Sequence, residues 1–128
     1  MELNDYQNKA MSTCMDSSRN MSYMTTGLVS EVGEFMGKIA KGIRKGDVYI
    51  GKEANESDLH YSESFLQDCY RCYQWEMDLK HELGDILWFV AGQAEVMGWT
   101  LEEVAQENID KLASRKERGV IDGNGDDR

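Results

Sequence analysis

The sequence contains no proline and only three cysteines. Without proline, no helix interior is forced to break. An odd cysteine count does not pair off into a disulfide scaffold, and it fits a reducing compartment. No apolar run approaches the roughly 20 residues of a membrane span. The opening residues MELNDYQNKA hold no basic segment followed by an apolar one, so no secretory signal is expected there. Basic charge is also short. There are 14 Lys and Arg against 24 Asp and Glu, a formal net charge of −10. Such a surface repels nucleic-acid backbones and anionic membranes, so neither is expected as a partner.

What is present is enough apolar material for a core: 41% of 128 residues, the length of one domain spanning 1–128. Helical periodicity dominates, and the fold class expected is all-α, a bundle of four to five helices. Asp47-Val-Tyr-Ile50 is the only strand-like stretch. A first helix is expected from about Asn4, as N-cap, to Asp16, followed by a polar loop over 17–21. A second runs from Thr25 or Thr26 to Lys45, with Leu28, Val32, Phe35 and Ile39 as its apolar stripe. A loop follows over 46–57. The next stretch, 57–78, reads either as one long helix with the segment after it or as two helices with a break. Leu79 to Met97 is helical and ends at Gly98 as the C′ residue. Thr100 with Glu103 makes a capping-box pattern at the start of a last helix that fades near Arg118. Leu101, Val104, Ala105, Ile109 and Leu112 form its apolar side, and the tail, 119–128, is expected to be irregular.

One pattern occurs twice. Leu28-Val-Ser-Glu31-Val-Gly33-Glu34-Phe35 and Leu79-Lys-His-Glu82-Leu-Gly84-Asp85-Ile86 share the template Leu-x-x-Glu-apolar-Gly-acid-apolar. The i, i+3 spacing puts both acids of a pair on one side of their helix. At about 100° per residue, each pair sits on the margin of its apolar stripe. If the stripes pack together, Glu31, Glu34, Glu82 and Asp85 line one groove. Gly33 and Gly84 would let a helix or a ligand approach closely. Four clustered carboxylates repel one another, and a divalent cation relieves that repulsion. Mg²⁺ or Mn²⁺ takes oxygen ligands and usually keeps substrate phosphates in its shell.

Cations sit where phosphate would need them. Lys38, Lys41 and Lys45 continue the face of Glu34, and Lys111 and Arg115 lie one turn apart on the last helix. Asn108 interrupts that helix's apolar side. The CxxC of Cys69 and Cys72 falls short of a zinc site, because Cys14, His60 and His81 offer no second motif. Packed helical thiols are the better reading of the pair, and His81 reads as a peripheral helix residue.

Together these residues resemble the MazG-like family of all-α nucleoside triphosphate pyrophosphohydrolases. The resemblance rests on Glu31-x-x-Glu34 followed by Glu82-x-x-Asp85. It extends through Tyr6-Gln7, Thr13, Tyr23, Gly27-Leu28, Lys41, Arg44, Trp88, Asn108-x-x-Lys111-Leu112, Arg115, Arg118-Gly119 and the Gly123–Arg128 ending. It implies hydrolysis of a (deoxy)nucleoside triphosphate to the monophosphate and diphosphate, with Mg²⁺ or Mn²⁺ on Glu31, Glu34, Glu82 and Asp85. It implies catalysis by the first pair, Glu31 and Glu34, one of which takes a proton as general base. Asn108 and Lys111 would contact phosphates, with Lys38, Lys41, Arg44 and Arg115 as further cations. Phe89, one turn after Asp85, is the aromatic expected to stack on the base, whereas Trp88 is expected in the core or an interface. The resemblance also implies a homodimer or homotetramer with its site near a subunit boundary. The expected location is a cytoplasm, or a host cytoplasm if a phage encodes the chain.

One departure stands out. Residues 35–81 separate the two acidic motifs, more than is usual in the family, and the excess falls in 46–78. That segment would shape the nucleotide pocket, build an oligomer interface or lengthen the helices. Residues 53–78 carry seven acids and one base, so all of the surplus charge outside the four proposed ligands lies there. Three other readings compete. A phosphoribosyl-ATP or other diphosphate-specific pyrophosphohydrolase would share the fold. A di-iron bundle would need Glu-x-x-His, and neither Glu34 nor Glu82 has it. A non-catalytic acidic helical interaction protein would turn over no nucleotide.

Overall fold

The structure is a computed structural model that describes residues 1–51 and 58–122. Five α-helices and a two-stranded antiparallel sheet make up the described residues, so the chain is mostly helical rather than purely so. The Gly123–Arg128 ending and the second half of the 46–57 loop, residues 52–57, lie outside the described residues. No helix among the described residues is long and apolar enough to cross a membrane. The chain divides into two compact units: residues 1–24 with the chain from Val90 onward, and Thr25–Phe89.

In the first unit, α1 covers Leu3–Met11 and is shorter than its periodicity predicts. The Ser12 and Thr13 hydroxyls donate to the carbonyls of Lys9 and Ala10, both at 2.6 Å. Those side chains compete for the carbonyls a longer helix would use. A 3₁₀ turn, Asp16–Ser18, follows. Helix α2, Met21–Lys45, starts earlier than expected because the Asn20 side chain accepts from the Tyr23 amide at 2.9 Å. Asn4 does not cap its own helix. Its amide donates to Glu102 (2.8 Å) and its oxygen accepts from the Glu102 amide (3.1 Å), at the first turn of α5, Leu101–Glu117. Gln7 is buried and ties the same turn together. It donates to the carbonyls of Ala91 and Trp99 and accepts from the Leu101 amide at 2.8 Å. Around it Met11, Met24, Ala91, Ala94 and Leu101 form the core of this unit.

The capping box at Thr100 and Glu103 is present, with Gly98 at φ +78° closing the preceding helix. The Thr100 hydroxyl accepts from the Glu103 amide, and the Glu103 carboxylate accepts from the Thr100 amide at 2.7 Å. Thr100→Ala should therefore cost about 1 kcal/mol in urea melts. The Thr100 amide, and then its hydroxyl, hold the Glu103 carboxyl below its ordinary value. A depressed carboxyl contributes stability above its unfolded pKa and loses it as pH falls through the folded one. The Thr100→Ala penalty should shrink on acidification, and a pH-independent penalty would mean that the bond from the Thr100 hydroxyl to the Glu103 carboxylate is idle. Along α5 the expected apolar side is only partly covered: Leu101 is buried, whereas Val104, Ile109 and Leu112 are exposed.

The second unit holds most of α2, then β1 (Val48–Ile50), β2 (Leu59–Tyr61), α3 (Glu63–Gln67) and most of α4 (Cys69–Val96). β1 is the strand-like stretch of the sequence, and its partner β2 was not legible there. Val48 pairs with Tyr61, Tyr49 with His60 and Ile50 with Leu59. Both readings of the ambiguous stretch contribute. A break falls at Asp68, and α4 then runs unbroken from Cys69 through the second acidic motif. Asp68 starts it by accepting from the Arg71 amide at 3.1 Å. The inter-motif segment has a small core of its own. Phe65 and Val48 are each 1% exposed, and the rings of Tyr61, Phe65 and Trp75 meet edge to face at 5.7–5.9 Å. Gly42 admits this core. A Cβ there would stand 2.8 Å from a Val48 methyl and 3.5 Å from the Trp75 indole.

Candidate functional site

The site grows from the repeated template. Helix α2 carries Glu31 and Glu34, and α4 carries Glu82. One carboxylate oxygen from each of these three lies within 4.8 Å of the others, the only such group among the described residues. Asp85 falls outside that radius, yet its charge reaches Glu31. Partial burial first, then the charges of Glu34, Asp85 and Glu82, push the Glu31 carboxyl above the usual carboxylate range.

Lys38 answers this charge. Its ammonium lies 3.1 Å from Glu82 and 3.8 Å from Asp78. The Glu82 hydrogen bond holds the ammonium above its ordinary value despite partial burial. One ammonium against three clustered acids leaves a negative excess, and a donor set made only of carboxylate oxygens suits a hard divalent cation. Glu31, Glu34 and Glu82 thus fit such an ion, with Asp85 beside them.

Several expectations need correction. Phe89 is not on the groove. It is 8% exposed, and its ring fills the space left by Gly27, where a Cβ would collide with three ring atoms. A ring packed that way offers no face to a base. Trp88 meets Phe89 edge to face at 4.9 Å, in keeping with a packing role. Gly33 and Gly84 do not mark a close helix crossing, since a Cβ at either would meet nothing within 4 Å. Arg115 is 5% exposed, so it is a buried residue rather than a surface cation awaiting phosphate.

The other cations divide between the units. Lys38 and Lys41 line a cavity of the second unit, while Arg44 is exposed and outside its lining. Asn108 and Lys111 are exposed on α5 and line an open groove of the first unit with Trp99, Glu103, Val104 and Glu107. Cys69 is exposed and Cys72 half-buried. Burial, followed by the charge of Glu76, pushes the Cys72 thiol up, and no third metal-binding side chain joins the pair among the described residues. Asp78 belongs to the surroundings of the acidic cluster through Lys38 and was not singled out from sequence. The available signal was spacing, because Asp78, Glu82 and Asp85 fall at i, i+4, i+7 on one helix.

A mostly helical chain that gathers three carboxylates from two helices within 4.8 Å carries a helix-borne acidic cluster. Its family follows from comparison. Residues 19–120 match the model of the MazG nucleotide pyrophosphohydrolase domain, and the chain belongs to that family. It is also similar to the Gene 37 protein of Mycobacterium phage L5, at 39% identity over 113 residues, covering 88% of this chain and 81% of that protein. No solved structure matches it.

Proposed function

We propose that the chain hydrolyses nucleoside triphosphates, ribo- or deoxy-, to the monophosphate and diphosphate in a metal-dependent reaction. The observation that carries this reading is the meeting of Glu31, Glu34 and Glu82 within 4.8 Å in a member of a nucleotide pyrophosphohydrolase family. Glu31, Glu34, Glu82 and Asp85 would hold Mg²⁺ or Mn²⁺, which supplies charge neutralisation of the triphosphate and a more acidic attacking water. A carboxylate of the first pair, Glu31 or Glu34, takes the proton of that water. The bond between the α- and β-phosphoryl groups breaks and diphosphate leaves. Lys38 keeps Glu82 oriented until the site is loaded. Lys41, Arg44, Asn108 and Lys111 are the cationic and amide groups proposed to meet the phosphates.

We further propose that the chain works as a homodimer or homotetramer in a cytoplasm, that of the host if a phage encodes it. Exposed Val104, Ile109 and Leu112 along one side of α5 support self-association. Light scattering of the purified chain tests it, and a monomer at all concentrations contradicts it.

The reaction is tested with a panel of NTPs and dNTPs under Mg²⁺ or Mn²⁺, resolving monophosphate and pyrophosphate, with Glu34→Ala alongside. At least one substrate should give equimolar monophosphate and pyrophosphate, and Glu34→Ala should be nearly inactive. Release of orthophosphate and nucleoside diphosphate, or full activity in the variant, overturns the proposal.

A further inference from the structure

The CxxC of the inter-motif segment is not the pair of packed thiols expected from its helical spacing. Cys69 is exposed and Cys72 is half-buried. Cys69 is the first residue of α4, and Cys72 stands one turn further on. We infer that Cys69 and Cys72 form a thiol–disulfide redox site whose co-reactant is a low-molecular-weight disulfide of the glutathione class. Neither the carboxylate cluster nor the nucleotide reaction proposed above uses this pair.

The helix brings the two residues within range of a bond. Residues at i and i+3 of an α-helix have Cα atoms about 5 Å apart, inside the roughly 4.4–6.8 Å over which disulfides form. Their Cβ atoms lie about 5–6 Å apart, whereas a disulfide needs roughly 3.5–4.5 Å. One residue must therefore move in by about 1–2 Å. Cys69 can make that move. Its amide belongs to the first helical turn, where amides have no intrahelical acceptor, so a shift there breaks no rung of the ladder. Its thiol donates weakly to the Leu66 carbonyl at 3.7 Å, a contact that costs little to give up. Cys72 is held in place. Its amide donates to the Asp68 carbonyl at 3.0 Å. On either side of it, the Arg71 guanidinium donates to Asp47 at 2.6 Å, and Glu76 accepts from the Tyr61 hydroxyl at 2.8 Å.

Exposure sets the order of events. Cys69 is the thiol that an incoming disulfide reaches. Cys72 is the resolving thiol. Burial first, then the charges of Glu76 and Cys69, push it up, so it stays protonated until the mixed disulfide stands beside it. The contribution of Cys69 also puts the two sulfurs within electrostatic reach of each other. The Cys69 thiolate attacks one sulfur of the small disulfide, a mixed disulfide forms, and one thiolate leaves. Cys72 then loses its proton and attacks the Cys69 sulfur, and the second thiolate leaves as the intramolecular bond closes. Two protein thiols are oxidised, and one small disulfide is reduced to two thiols that take up the two protons. Cys14 takes no part, because it is buried and belongs to the first compact unit. In a reducing compartment the pair rests as thiols and closes when the small disulfide accumulates, the behaviour of a sensing bond rather than a structural one.

The test incubates the full chain, without metal or nucleotide, with oxidised glutathione, then alkylates it in denaturant for intact-mass and peptide analysis. Wild type should lose two of its three thiols and keep no glutathione. Trypsin cuts after Arg71, so the closed pair should appear as two peptides joined by the bond. Excess reduced glutathione should restore all three thiols. Cys72→Ser should stop at the mixed disulfide, with one glutathione on Cys69, and Cys72→Ala gives the same arrested species if serine disturbs the half-buried position. Cys69→Ser should lose thiols at least about tenfold more slowly than wild type. Three unreacted wild-type thiols, or glutathione retained on wild-type Cys69, overturns the inference. So does a bridge to Cys14 or between chains, and so does Cys69→Ser reacting as fast as wild type. The readout involves no nucleotide, so a chain that closes this bond yet hydrolyses nothing overturns the proposed reaction and leaves the redox site standing.

Discussion

Replacing Glu82 by Gln is expected to lower kcat/KM by on the order of 10²–10³ while leaving the fold intact. The side chain keeps its size and loses its charge. Glu82 contributes one of the three clustered carboxylates, its side chain is 13% exposed, and it lies 3.1 Å from the Lys38 ammonium. Two effects on stability oppose each other. The substitution relieves repulsion among the acids, and it strips Lys38 of its nearer partner. Because Lys38 stays partly exposed, that loss is worth at most about 1 kcal/mol. Catalysis has no such compensation, since a neutral amide is a poor ligand for a hard cation. Activity should be measured against Mg²⁺ concentration, with a thermal melt on the same sample. The metal requirement should rise steeply, and saturating Mg²⁺ should restore only part of the rate. Activity within a few-fold of wild type would remove Glu82 from the metal site.

The sequence carried this much because periodicity is a local signal. The template beginning at Leu28 and Leu79 sets the angular position of its acids on each helix, and Glu31, Glu34 and Glu82 accordingly meet. The same logic misassigned Phe89. A helical angle says which way a side chain leaves its axis but not what waits there, and what waits is the gap at Gly27. Local competition was equally hidden: Ser12 and Thr13 shorten α1 and Asn20 lengthens α2 through single hydrogen bonds that carry no period. The inter-motif segment was hardest to read. Its order comes from contacts remote in sequence, such as Asp47 with Arg71, Tyr61 with Glu76 at 2.8 Å, and Trp75 with the Lys38 carbonyl. No pattern within residues 46–78 announces those partners.

Two glycines of α2 should respond to alanine with opposite signs. Gly27→Ala is expected to destabilise the chain by about 2 kcal/mol. Alanine gains roughly 1 kcal/mol of helix propensity over glycine. Against that, its methyl occupies the Phe89 ring position, and expelling a buried ring costs about 3 kcal/mol or more. Gly33→Ala meets nothing within 4 Å, so only the propensity gain remains, and it should stabilise by about 1 kcal/mol. Urea melts of both variants decide the matter. Phe89→Leu should cost stability in the wild-type background and little or nothing beside Gly27→Ala, because the smaller side chain yields to the methyl. Equal stabilisation by both alanines would show that Phe89 does not depend on Gly27. Gly33 lies between Glu31 and Glu34, so its variant also probes how closely substrate approaches that helix. A more stable Gly33→Ala protein with depressed kcat/KM would mean that a ligand uses the bare backbone there, whereas unchanged kinetics would leave Gly33 with no role at the site.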